Sequence, residues 1–141
     1  MSDSSARVPG DGDQIVVITP SGAPLYLEVA RSDTKRALGL MQRAEVPEGT
    51  GMLFLFEEDA PHSIWMWNCL VPLDLVWLDA DGFITHLHEN APPCPERPCE
   101  SYVPPSPARY VIEVGAGRAA ASGLVPGARV MLEAVLKGEQ R

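Results

Sequence analysis

Prolines and glycines cut this chain into short pieces. Of its 141 residues, 14 are proline and 12 are glycine, and seven of the prolines fall between positions 92 and 107. Proline fixes φ and removes a backbone donor, so it ends helices and is kept out of central strands. Long helices therefore have nowhere to sit. What remains between the breaks is a set of short apolar or alternating runs, the raw material of a β domain.

The runs "QIVVITP" (14–20) and "PLYLEVA" (24–30) are separated by Ser21-Gly22 and read as a hairpin. In the second, Leu25, Leu27 and Val29 alternate with Tyr26, Glu28 and Ala30, which gives one buried face. Next, Ala37, Leu38, Leu40 and Met41 have helical spacing behind Ser32 or Asp33 as N-cap, with Gly39 weakening the helix and Pro47 stopping it. "GMLFLF" (51–56) is apolar throughout, as a strand buried on both faces would be. "SIWMWNC" (63–69), "LDLVWLD" (73–79) and "FITHLHE" (83–89) follow, the last two joined by the turn signal Asp81-Gly82, and predict a β-meander. Residues 91–107 are too rich in proline for regular structure. The strand "RYVIEVG" (109–115), a helix "AGRAAAS" (116–122) ended by Gly123, and the strand "RVMLEAVL" (129–136) complete the chain.

Roughly eight short strands with one or two small helices are the pattern of a single-domain β-sandwich or barrel. A doubly wound parallel fold is disfavoured, because long helices do not alternate with the strands. The expected boundaries are a flexible tail over 1–13, one β domain over 14–136 and a tail over 137–141.

Eleven basic against 19 acidic residues give a formal charge of -8, with no run of Lys or Arg. Nucleic-acid binding draws mainly on phosphate neutralisation, so this balance argues against it, and against anionic membranes. No apolar run approaches the ~20 residues of a membrane span. A soluble domain is expected, a monomer or weak oligomer whose partner is a small molecule or a protein. The opening "MSDSSARVPGDGD" lacks the basic start and apolar middle of an export signal. The expectation is a cytoplasmic protein, or a periplasmic or exported one whose signal has been removed. Cys94 and Cys99, with four residues between them, suit a local disulfide in a loop and fit neither a redox Cys-x-x-Cys nor a zinc knuckle, leaving Cys69 odd. Such a bridge favours an oxidising compartment.

Read together, "ALGLMQR", "GMLFLF", "IWMWNCLVPLDLVWLDADG", "SYVPPSPARYVIEVGAG" and "GLVPGARV" resemble, in order and spacing, the family called domain of unknown function 192. The resemblance covers the chain from about residue 14 to about residue 136. It rests on Gly39, Leu40, Met41 and Arg43, on Trp65, Met66 and Asn68, on Pro72, Leu73 and Asp74, and on Tyr110 and Glu113. It implies a mainly β domain resembling a jelly-roll sandwich, found alone or behind an export signal, without established activity. Exported relatives are similar in carrying a cysteine pair where Cys94 and Cys99 stand. This chain departs from the pattern at Ile64, usually Phe, at Trp67, usually Lys, at Cys69, usually Thr, and at Ala128, usually Asp.

Strand alternation puts Trp65, Trp67 and Cys69 on one face and Ile64, Met66 and Asn68 on the other. In the next strand Asp74 shares a face with Val76 and Leu78, where a carboxylate is costly unless paired, and Arg43 is the expected partner. The functional reading is a ligand-binding cleft walled by Trp65, Met66 and Trp67, with Asn68, Asp74 and Arg43 as polar anchors. The bland reading is a core in which Asn68 holds a turn and Asp74 is simply paired. His86 and His88, two apart on a strand, point to one face and are weak candidates for a metal pair, with His62, Cys69 or Glu89 as further ligands. Met41, Met52 and Met66 suit core filling better than a soft copper site. A metal-dependent or hydrolytic enzyme using Asp74 with His86 and His88 is the rival function. No Gly-x-Ser-x-Gly, Gly-x-Gly-x-x-Gly or phosphate-binding loop is present, so no cofactor is expected and the domain is read as non-catalytic.

Overall fold

The structure is a computed structural model that describes residues 8–132 and 136. In chain order its elements are β1 (Gln14–Ile18), β2 (Pro24–Ala30), α1 (Asp33–Leu38), β3 (Thr50–Ala60), β4 (Ile64–Trp65), β5 (Leu73–Leu78), β6 (Ile84–Ala91), β7 (Ser101–Tyr102), β8 (Ala108–Gly115) and α2 (Arg118–Ala121). The chain is a single mainly β domain. Its principal sheet has six strands in the order β1-β2-β3-β8-β5-β6, and β4 with β7 forms a separate two-stranded ribbon.

Local chemistry explains most of the turns. At the β5-β6 hairpin Asp79 accepts hydrogen bonds on Oδ1 from the backbone N–H groups of Asp81 and Phe83, at 3.0 and 2.9 Å. Gly82 then takes φ of +86°, and a Cβ there would lie 2.2 Å from the carbonyl oxygen of Val130, so no other residue fits without displacement. Helix α1 is short for the expected reason and ends earlier than Pro47 requires. The Ser32 side chain accepts from Lys35 N at 3.1 Å, and Gly39, at φ +49°, closes the helix after Leu38.

β2 and β3 are parallel, and the crossover between them carries α1; the other pairings are antiparallel. The sheet separates two cores. On one face Leu27, Leu53, Val76 and Ile112 pack with Leu124, Val130 and Leu132. Ile15 from one edge strand and Ile84 from the other join that same cluster, so the open sheet curls around it without closing as a barrel. On the other face Met52, Phe54, Leu73, Leu75, Trp77 and Val111 are covered by Leu40, Met66, Cys69 and Tyr102.

Three expectations need correction. "SIWMWNC" is a strand only at Ile64–Trp65 and pairs with β7, not with β5, because Asn68 turns the chain at φ +60°. The proline-rich segment is partly regular, supplying β7 and a bridge from Cys94 to Trp67. Of the expected closing strand over 129–136, the described residues show one bridge, Arg129 with Phe83, while Leu132 and Leu136 are helical; residues 133–135 lie outside them. Residues 1–7 of the expected tail over 1–13, and the expected tail over 137–141, also lie outside the described residues. Within the expected tail, Gly12 N donates to Val29 O at 2.9 Å, and Asp11 accepts from Arg31 N and Ser32 N, tying this stretch to the end of β2. Those bonds from Ser32 and Arg31 hold the Asp11 carboxyl down at about 2.

Candidate functional site

The strand alternation of β8 puts Val111 and Glu113 on the second face, against the run of apolar residues there. Glu113 lies opposite Met52 of β3 on one side and Leu75 of β5 on the other, so neither neighbour in the sheet can donate to it. It is 3% exposed, among the described residues no hydrogen-bond donor or cation is placed on its carboxyl group, and its oxygens open onto a cleft instead of being sealed in the core. Burial alone pushes its pKa up to about 8.

Glu113 borders a cleft of about 230 Å³ between α1 and the segment that carries the tryptophans. Leu38, Gly39 and Met41 form one side; Phe54, Trp65, Trp67 and Cys69 form the others. Trp65 is 41% exposed at the cleft, and its ring centroid lies 6.4 Å from that of Trp67. Trp67 is half-buried, with the Arg97 guanidinium 4.9 Å over its ring. Arg36 also borders the cleft, stacks 4.8 Å over Phe56, and is engaged by Leu55 O and by Asp33 Oδ1. Cys69 is buried, and burial, reinforced by the Glu113 charge, pushes its thiol up to about 11, where it is a poor nucleophile at neutral pH.

The wall is built from backbone bonds rather than from a regular strand. Asn68 N donates to Cys94 O at 3.2 Å, Cys94 N donates to Met66 O at 3.2 Å, and Gln42 N donates to Asn68 O at 2.9 Å. Asparagine tolerates the left-handed φ that this turn needs. The Sγ atoms of Cys94 and Cys99 are at disulfide distance, 2.09 Å, and brace the loop that presents Arg97 to Trp67.

Of the residues singled out by sequence, the structure gathers Trp65 and Trp67 on the cleft, with Met66 packed into the core behind them at 2% exposure and Asn68 turning the chain beside them. Asp74 is elsewhere. It projects to the opposite face of the sheet, fully buried, where Oδ1 accepts from Asn90 N at 2.8 Å and Oδ2 from Gly117 N and Ala119 N at 3.0 Å each. Those last two bonds cap α2 from a neighbouring strand. The expected Arg43–Asp74 pair is absent: Arg43 binds Glu28 at 2.9 Å, and Lys35 shares the same carboxylate at 2.7 Å. Arg43 and Asp74 do not meet because α1 and the residues that follow it lie over one face of the sheet, where Glu28 is in reach, whereas Asp74 projects from the other.

His86 and His88 do share a face, opposite Trp77 and Leu75, so the sheet lies between them and Asp74. Their rings pack on aromatics, His86 5.3 Å from Trp77 and His88 4.3 Å from Tyr102 by centroid. Among the described residues no group of three His, Cys, Asp or Glu side chains is placed to hold a metal ion. Glu113 is the residue that sequence reasoning passed over as a site. Its signal was present, a single carboxylate between Ile112 and Val114 in an otherwise apolar strand.

The sequence profile of domain of unknown function 192 (DUF192), described as uncharacterized ACR, matches residues 16–132. The chain belongs to the DUF192 family. Among solved structures it is similar to a proposed transcription regulator from Sinorhizobium meliloti 1021, 37% identical over 83% of this chain and 90% of that one, with a TM-score of 0.74. It is also similar to a protein of unknown function from Novosphingobium aromaticivorans DSM 12444, 26% identical over 92% of this chain and 97% of that one, with a TM-score of 0.72. No curated protein matches this DUF192 chain. The family and these neighbours thus agree with the fold and carry no established activity.

Proposed function

We propose that this DUF192 domain binds a small ligand, without chemistry, in the cleft between α1 and the tryptophan segment. The observation that carries the reading is Glu113, a buried carboxyl group with no protein partner beside a cleft walled by Phe54, Trp65 and Trp67. Its oxygens reach the cleft but are largely stripped of water by burial, and a ligand's polar atom would supply the partner that the protein does not. Apolar walls with one or a few oriented polar groups are the usual make-up of small-molecule sites. The anchor is therefore Glu113, in the place that sequence reasoning gave to Asp74.

Several features set the rival readings aside. Asp74 has both oxygens occupied by backbone donors and lies across the sheet from His86 and His88, so the three cannot act as one catalytic group. The Sinorhizobium neighbour is described as a proposed transcription regulator, but a chain of charge -8 without a run of Lys or Arg offers no electrostatic footprint for nucleic acid.

Phenethyl alcohol, which fits a cleft of this size, serves as a neutral probe. Saturation-transfer NMR should show its ring in contact with the protein, and Trp65→Ala, at an exposed position, should abolish the transfer while leaving the fold intact. Trp67→Lys, which restores the family's usual residue, should weaken it and release Arg97. Transfer that persists unchanged in both variants would place the probe elsewhere and refute the reading.

A further inference from the structure

The cleft's chemistry also limits what can enter it. An unpartnered carboxyl group can be satisfied in two ways: it can stay protonated and donate to a neutral acceptor, or ionise against a cation. The surroundings favour the second. Phe54, Trp65 and Trp67 line the cleft, Trp65 being the exposed one, and a cation gains from an aromatic wall in addition to the carboxylate, by about 0.5–2 kcal/mol for each favourable contact. The cations already present are committed. Arg36 is bonded to Leu55 O and Asp33 and stacked on Phe56, while Arg97 lies over Trp67. The formal charge of -8 draws cations toward the surface and repels anions.

We propose that the cleft takes a small organic cation, an ammonium group on an apolar stem, with the ammonium paired to Glu113 and the stem against Trp65 and Trp67. This rests on the ligand-binding reading above and names its ligand class. The consequence is proton release. Below about pH 8 Glu113 is protonated in the empty cleft, and it gives that proton to solvent when the ammonium arrives. The titratable and charged groups that face it are few. Cys69 stays a neutral thiol at this pH, Arg36 is fixed by the partners named above, and β3 and β5 contribute only apolar side chains beside it. His88 lies one strand further, across Leu75, with its ring on Tyr102.

The test compares phenethylammonium, phenethyl alcohol and phenylacetate by calorimetry on the full chain, with Glu113→Gln beside the wild type. Phenethylammonium should bind more tightly than the alcohol at pH 8, and its affinity should rise close to tenfold per pH unit from about pH 6 to about pH 8, the signature of one released proton. The alcohol's affinity should show no such rise, and phenylacetate should not bind. Glu113→Gln should lose the ammonium's advantage and keep the alcohol's affinity. If that variant does not fold, the wild-type pH slope decides alone. Ammonium binding that is flat with pH, or no tighter than the alcohol, overturns the ligand class and leaves the cleft reading standing. Failure of all three probes to bind overturns both.

Discussion

Glu113 should make this domain less stable as pH rises, through a range where most proteins are at their best. The perturbation that exposes this is Glu113→Gln, which keeps the size and shape of the side chain and removes its proton. In the folded chain the group titrates near 8; in the unfolded chain it returns to the ordinary value of 4.5. Between those limits the folded state holds a proton that the unfolded state has released, so raising pH favours unfolding. The stabilisation is full below about pH 4.5, falls by about 1.4 kcal/mol per pH unit through the interval, and is gone above about pH 8. Across pH 5 to 8 the loss is on the order of 4 kcal/mol, a large part of the 5–15 kcal/mol typical of a domain. Urea unfolding followed by tryptophan fluorescence, at each pH for both proteins, measures it. Titrations shared by both proteins cancel in the difference. The variant's advantage should be near zero at the acid end and grow linearly toward pH 8, with the slope on denaturant unchanged. A difference that stays flat over this range would mean that Glu113 is ionised or partnered in the native state, and the reasoning would fail together with the cleft's polar anchor.

Asp74→Ala strips the acceptors from three backbone N–H groups and should cost about 3–5 kcal/mol, with faster amide exchange at Ala119 as the local sign. Gly82→Ala forces a Cβ to within 2.2 Å of the Val130 carbonyl oxygen at a φ of +86°, and should lower stability by about 3 kcal/mol or more in thermal melts. Cys69, with its thiol pushed up to about 11 and its side chain buried, should resist iodoacetamide at pH 8 until the protein is unfolded; rapid native alkylation would contradict its burial. Non-reducing mass spectrometry of the intact chain should find Cys94 and Cys99 blocked to alkylation, and free thiols at both positions would contradict the bridge.

Much of the fold was legible because its causes are local. The Asp81-Gly82 signal does make the β5-β6 hairpin, since Asp79 and a positive-φ glycine need only their immediate neighbours. Ser32 caps α1 and Gly39 ends it within one turn of sequence. Alternation in "PLYLEVA" and unbroken apolarity in "GMLFLF" identified an edge-side strand and a buried one. The breakdown came at Asn68, where the aromatic run reads as strand by composition and the backbone turns instead, its groups drawn to Cys94 and Gln42 from distant parts of the chain.

The sequence by itself therefore determined that this protein is a mainly β domain with short helices, where most of its turns fall, and that carboxylates stand inside apolar strands. Only the tertiary structure decided what those carboxylates do. Asp74 and Glu113 occupy similar strand contexts, yet Asp74 meets the N-terminus of α2 and is saturated, whereas Glu113 faces a cleft and is left open. The difference arises from pairing over long separations, which sets β8 between β3 and β5 and brings the tryptophan segment over one face of the sheet. Strand periodicity specifies that two faces exist; which covering element each one receives depends on contacts between residues far apart in the chain.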